Sequence, residues 1–299
     1  MSYELVAGLE THIELSTKTK LFCGCSTAFG AEPNTLCCPV CLGHPGTLPA
    51  INQEAVRFGV MAGIALNCRI NPVSVMERKN YSYPDLPKAY QITQLQKPLC
   101  EDGYLELSSE KRIRITRIQI EEDAGKLIHT DDACLVDYNR CGVPLIEIVS
   151  EPDISSVEEA KEYVEFLRVL MRYIGISDCR MQEGSMRCDV NVSIRKQGDT
   201  TLGTRTEIKN MNSIEAIKRA IEYETARHID AIENGTEVLV QETRRWDDIK
   251  GKSYAMRTKE TAGDYRYFPD PNVMPVVIDD AWFDRIQDSL PEFPEVKRD

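Results

Sequence analysis

Apolar and polar positions alternate at the start of the chain. Leu5, Ala7, Leu9, Ile13 and Leu15 hold odd positions, while Glu4, Glu10, His12 and Glu14 hold even ones. A period of two over 3–15 predicts a strand that presents Glu10, His12 and Glu14 on one side. The Cys-, Pro- and Gly-rich stretch 20–50 has little period. A helix is expected over about 53–66, with Asn52 as N-cap and Asn67 at its end. Residues 71–98, rich in Tyr, Pro and Asn, are expected to be an extended loop. In the strand 112–120, Ile113 and Ile115 are odd but Ile118 and Ile120 are even. That change of parity predicts a β-bulge near Thr116 and Arg117. Residues 143–149 form an apolar strand buried on both faces.

Helical spacing takes over at Val157, Ala160, Val164, Leu167, Met171 and Ile174. Ser156 and Glu159 make a capping box for this 157–174 helix, and Gly175 can end it. Residues 186–194 and 203–209 are predicted to pair as a hairpin. A further helix covers about 213–234, capped by Asn212 and stopped at Gly235, and a short one lies near 280–289. The class is α+β with mainly antiparallel strands.

A length of 299 residues accommodates one large domain or about two. No apolar run nears the ~18 residues of a membrane span, and no signal peptide is visible, so no membrane partner and a cytoplasmic location are expected. The net charge of −12 argues against a binder driven by basic charge. It suits a protein that gathers carboxylates around divalent cations.

Of 11 cysteines, five fall between Cys23 and Cys41. Cys23 and Cys25 are followed by Cys38-Pro-Val-Cys41. Two close pairs joined by a loop suit a tetrahedral, structural Zn²⁺, with no open coordination position. Cys37 competes with Cys38 for the fourth place. A redox role for Cys38 and Cys41 lacks the surrounding βαβ pattern.

Acids recur where the pattern disfavours them. Glu10 and Glu14 flank His12, a strand runs into Glu121-Glu122-Asp123, and Glu147 is the lone charge of an apolar strand. In the hairpin, Arg187, Asp189 and Asn191 share a face, as do Arg205, Glu207 and Lys209. A turn near 198–199 sets Asp189 opposite or diagonal to Glu207, a repulsion that a cation would relieve. Convergence of Glu10, His12, Glu122, Glu147, Asp189 and Glu207 on Mg²⁺ is the functional reading. Salt bridges to Arg117, Arg187, Arg205 or Lys209 are the structural one. Lys79, Lys88, Arg187 and Arg205 are candidates for phosphate or carboxylate contacts. Gly198 to Arg205 has glycine spacing but lacks the Lys-Ser/Thr ending of a P-loop.

Long strings carry a more specific signal. They include Gly8-Leu-Glu-Thr-His-Ile-Glu-Leu15, Lys20-Leu-Phe-Cys-Gly-Cys25 and Cys38-Pro-Val-Cys-Leu-Gly-His-Pro-Gly-Thr-Leu-Pro49. Others are Glu121-Glu-Asp-Ala-Gly-Lys126, Pro144-Leu-Ile-Glu-Ile-Val-Ser-Glu-Pro-Asp153, Gly184-Ser-Met-Arg-Cys-Asp-Val-Asn191 and Asp264-Tyr-Arg-Tyr-Phe-Pro-Asp270. Over essentially its whole length the chain resembles the GatB family, the kinase subunits of the aspartyl/glutamyl-tRNA(Asn/Gln) amidotransferases.

The resemblance implies an ATP- and Mg²⁺-dependent ligase subunit. It would phosphorylate the side-chain carboxylate of Glu-tRNA(Gln) or Asp-tRNA(Asn). Ammonia from the amidase subunit would then displace phosphate, with a further small subunit stabilising the heterotrimer. It implies a cradle like glutamine synthetase and the guanido kinases over 1–299, with a zinc-binding segment at 20–45. The family's helical and tail domains, which grip the misacylated tRNA, are expected to be missing. The Mg²⁺ ligands carried over are Glu10, His12, Glu122, Glu147, Asp189 and Glu207, and the zinc ligands are Cys23, Cys25, Cys38 and Cys41. A zinc-stabilised RNA-binding or scaffold module without chemistry is the alternative reading.

Overall fold

A computed structural model describes residues 2–258 and 262–292. In chain order the elements are β1 (Tyr3–Glu14), α1 (Gln53–Ala65), β2 (Arg69–Ile70), β3 (Val73–Ser74), β4 (Glu77–Asn80), β5 (Tyr90–Thr93), β6 (Cys100–Glu106), β7 (Arg112–Glu122), β8 (Lys126–His129), β9 (Cys134–Asp137), β10 (Pro144–Ser150), α2 (Val157–Tyr173), β11 (Met186–Lys196), β12 (Thr206–Lys209), α3 (Ile214–Asn234), β13 (Glu242–Asp247), β14 (Lys252–Thr258), β15 (Phe268–Pro269), β16 (Val276–Val277) and α4 (Asp280–Asp288). The main sheet has nine strands in the order β14-β13-β12-β11-β1-β10-β7-β6-β2. Its ladders are antiparallel except β12–β13, which is parallel. The fold is therefore α+β and dominated by antiparallel sheet. No described helix is long and apolar enough to cross a membrane.

Strand alternation decides what each face of the sheet carries. Leu9, Ile13, Ile118, Ile120, Ile146, Ile148 and Val190 are buried and join Val56, Val60, Leu167 and Ile217 from α1, α2 and α3 in one core. The other face is polar. Val149 of β10 pairs with Arg117 of β7, whereas the next residue, Ser150, pairs with Ile115. Thr116 is the extra residue, and this bulge lets both isoleucine pairs face the core.

Three local expectations change. The stretch 71–98 contains β3, β4 and β5, and β4–β5 with β15 form a three-stranded sheet. Its short strands hide among loop-forming residues, so no period of two is visible. The cap of α3 is Ser213, whose hydroxyl accepts from the Ala216 N–H, one residue later than Asn212. Ser156 caps α2 as expected, but the Glu159 carboxylate accepts from the Ser155 N–H at 2.7 Å and not from Ser156.

A buried polar cluster ties α3 to the far edge of the sheet. Glu224 is 0% exposed and meets Arg227 at 2.8 Å, Arg244 at 3.3 Å and the Ser253 hydroxyl. His228 lies beside it, with Nε2 2.9 Å from the Thr206 hydroxyl. Burial, then Arg227 and Arg244, push the His228 pKa down to about 4 against Glu237 and Glu242. The unfolded chain therefore takes up this proton first, near pH 6.5. Stability is expected to fall as pH drops from about 6.5 towards 4, by roughly 3 kcal/mol from this group. Urea midpoints against pH should show a shallower acid limb in His228→Gln. Identical limbs in both proteins would refute the assignment.

Candidate functional site

Five neighbouring strands deliver charged side chains to the polar face. His12 of β1 pairs in register with Glu147 of β10 on one side and Arg187 of β11 on the other, and Glu147 pairs with Gln119 of β7. The next row sets Glu10 beside Asp189. In β12, Glu207 stands opposite Asn191, which leaves Asp189 on the diagonal. Because side chains alternate, these strands bring Glu10, His12, Glu147, Asp189 and Glu207 to one side.

Glu122 goes elsewhere, and Glu121 takes the place expected for it. Glu121 Oε1 lies 3.4 Å from His12 Nε2, and Glu147 Oε2 lies 3.9 Å from the same nitrogen. One donor atom from each of His12, Glu121 and Glu147 lies within 4.8 Å of the others. Glu122, one residue on, projects from the other side of β7. There its carboxylate accepts from the Lys88 ammonium and, at 3.0 Å, from the Ile92 N–H. Within β7, Gln119 and Glu121 are two residues apart and share a face, whereas Glu122 continues the face of Ile118 and Ile120.

The site acids are held before any ligand arrives. The Gln119 amide donates to Glu147 at 2.7 Å and the Thr93 hydroxyl to Glu121 at 2.9 Å. Burial, then repulsion from Glu10, pushes Glu147 up to about 7. Burial, then Glu147, raises Glu121 as well. Close carboxylates withdrawn from water favour a bound cation. The group of Glu10, Asp189 and Glu207 has a partial substitute in Lys209. Its ammonium donates to Asp189 and lies 3.3 Å from Glu207. Asn191 donates to Glu10 at 2.9 Å and Thr243 to Glu207 at 2.6 Å.

The basic candidates separate. Lys79 lies 4.7 Å from the Tyr265 ring centre and 5.7 Å from that of Tyr81, and its charge favours the ionised forms of Glu121 and Glu147. Arg187 is bound to Asp123 at 2.8 Å and lies 3.8 Å from Glu14. Arg205 is exposed just before β12. Lys88 is enclosed with Glu122 and is removed from the acidic face by that pairing. Tyr81 and Tyr267 also border the acids, and burial, then Glu121, pushes both hydroxyls up.

In the cysteine segment, the sulfurs of Cys23, Cys25, Cys38 and Cys41 all lie within 4.8 Å of one another. Tetrahedral thiolates at Zn–S ≈ 2.3 Å stand about 3.8 Å apart, so the cluster fits such an ion. Cys37 points instead to Asn139 Oδ1 at 3.9 Å, which leaves Cys38 as the fourth member.

A model of the GatB/GatE catalytic domain matches residues 5–284. The chain belongs to this catalytic-domain family. Among curated relatives it is similar to the aspartyl/glutamyl-tRNA(Asn/Gln) amidotransferase B subunit of Caldicellulosiruptor bescii, with 56% identity over 100% of this chain and 63% of the relative. The same-named protein of Ruminiclostridium cellulolyticum is 59% identical, over 99% and 62% of the two chains. That of Caldanaerobacter subterraneus subsp. tengcongensis is 58% identical, over 100% and 64%. The chain thus spans a little under two thirds of the length of these relatives. Within the matched GatB/GatE domain lie both the acidic face and the four-cysteine cluster. Sequence reasoning missed Glu121, Gln119, Thr93 and Thr243 as site residues. The last two are short hydroxyl side chains in strands with no conspicuous pattern.

Proposed function

We propose that this chain is the catalytic part of a tRNA-dependent amidotransferase subunit. It uses ATP and Mg²⁺ to phosphorylate the side-chain carboxylate of Glu-tRNA(Gln) or Asp-tRNA(Asn). Ammonia from a partner amidase then replaces phosphate to give the amide. The observation that carries this reading is the meeting of His12, Glu121 and Glu147 beside Glu10, Asp189 and Glu207. We take 1–299 as one cradle resembling that of glutamine synthetase, working with amidase and small partner subunits.

Imidazole and carboxylate donors suit a divalent cation, and oxygen-rich sets suit Mg²⁺. His12, Glu121 and Glu147 would hold one ion, and Glu10, Asp189 and Glu207 a second once Lys209 swings away. When bound, such ions neutralise charge on a transferring phosphoryl group. The chain's own residues do the rest. Gln119 and Thr93 fix the orientation of Glu147 and Glu121, and Asn191 and Thr243 fix that of Glu10 and Glu207. Lys79, Arg187 and Arg205 serve anionic substrate groups. Tyr81 and Tyr267 border the acids and limit access of water. The carboxylate oxygen of the aminoacyl group attacks the γ-phosphorus, and ADP leaves. The resulting acyl phosphate is an acyl donor that a carboxylate is not, so ammonia can form the amide and release phosphate.

The test is phosphate release from ATP by the assembled enzyme with Mg²⁺, with charged tRNA and with free glutamate. Release that requires charged tRNA is the expected result. Release with free glutamate alone would replace the proposed substrate by a small amino acid. No release under any combination would favour the non-catalytic RNA-binding module.

We also propose structural zinc at Cys23, Cys25, Cys38 and Cys41. One zinc per chain is expected, with four thiols becoming titratable after chelation. Absence of metal in protein purified without chelators, together with four reactive thiols, would refute this.

A further inference from the structure

The cysteine segment contains a charge that zinc ligation alone does not explain. Lys20 is 0% exposed. A lysine charge so far from water is costly unless it is paired. Its ammonium donates to Cys41 Sγ at 3.6 Å and to the Tyr138 carbonyl at 3.2 Å. The carboxylate facing the same cavity, Glu122, is engaged by Lys88.

The backbone holds Lys20 in this position from three sides. Its N–H donates to the Cys25 carbonyl at 2.9 Å, within the first cysteine pair. The next N–H, of Leu21, donates to the Gly142 carbonyl at 2.8 Å. Asn52, the cap of α1, donates to the Thr19 carbonyl at 3.1 Å. Gly142 has φ +85° and packs its bare backbone beside the Lys20 stem and Cys41. A side chain there would be strained by that φ, although its Cβ would meet both only at ordinary contact distance.

We propose that Lys20 is a positioning residue for the metal, whose buried ammonium hydrogen-bonds the Cys41 thiolate and offsets the charge of the four-cysteine site. This rests on the zinc reading above. Four thiolates around Zn²⁺ carry a net charge of −2, and a second ionic partner lowers the cost of burying it. Lys20 also joins the metal segment to the 138–142 turn, which leads directly into β10 and Glu147.

The test begins with zinc content of the unaltered protein, and a metal-free preparation would defeat the zinc reading itself. With zinc confirmed, competition against a chromogenic chelator should show Lys20→Met binding zinc about 10–100-fold more weakly. In the Co²⁺-substituted protein, the thiolate-to-metal charge-transfer band should move to lower energy in Lys20→Met, because the thiolate loses a donor. Unchanged affinity and an unchanged band would overturn the proposal. Should Lys20→Met fail to fold, the unaltered protein decides. Lys20 should resist an amine-acylating reagent while zinc is bound and react once the metal is stripped. Labelling of Lys20 with zinc in place would overturn the proposal.

Discussion

Glu121→Gln and Glu147→Gln are each expected to lower tRNA-dependent phosphate release by at least 10²–10³-fold, a magnitude typical of losing one electrostatic contact to a transition state. The metal-free proteins should nevertheless melt at or above the temperature of the unaltered one. Glu147 is pushed up to about 7 by burial and Glu10, and Glu121 is raised by burial and Glu147. Removing one charge relieves that repulsion. The same change should abolish the rise in melting temperature that Mg²⁺ gives, since a cation stabilises only through the state it binds. Melting curves with and without Mg²⁺, set beside phosphate release, separate the effects. Full activity with an unchanged Mg²⁺ shift would remove these residues from the site.

The adjacent residue should behave in the opposite way. Glu122→Gln is expected to destabilise the protein by about 3–5 kcal/mol, because it leaves the Lys88 ammonium enclosed without its counter-charge. Both side chains are nearly shut off from water, at 3% for Glu122 and 9% for Lys88. The loss should appear as a lower urea midpoint with an unchanged slope. Phosphate release per folded molecule should remain measurable. An inactive but fully stable Glu122→Gln would return this residue to the catalytic set. Lys88→Met should lose comparable stability, and the double variant should lose less than the sum, because the two act as a pair.

Most of what positions the site was legible in the pattern. The period of two in β1 put Glu10, His12 and Glu14 together, and the parity change at Thr116 announced the bulge. The apolar strand around Glu147 marked it as anomalous. The acid of Glu121-Glu122-Asp123 that joins the site follows from alternation past the bulge: Ile118 and Ile120 point into the core, so Glu122 follows them, and Glu121 lies with Gln119, which pairs with Glu147. The small sheet of β4, β5 and β15 was missed because its strands are only two to four residues long and β15 joins β4 from 190 residues away, as in Arg78 with Phe268. The thiol cluster was legible from spacing, whereas the choice of Cys38 over Cys37 depended on the Asn139 contact.

The placement of β1 has a consequence for how the chain is made. Of the described strands it is the earliest to be synthesised, yet it lies in the interior of the sheet between β10 and β11. At ~5–20 residues per second, Glu10 waits roughly 10–35 s before Asp189 leaves the synthesis centre. Until β10 emerges, a strand with one apolar face and two open edges has neither of its native neighbours. Such long-range closure makes folding slow. During translation, both edges of β1 therefore stay open until the second half of its sheet has been made.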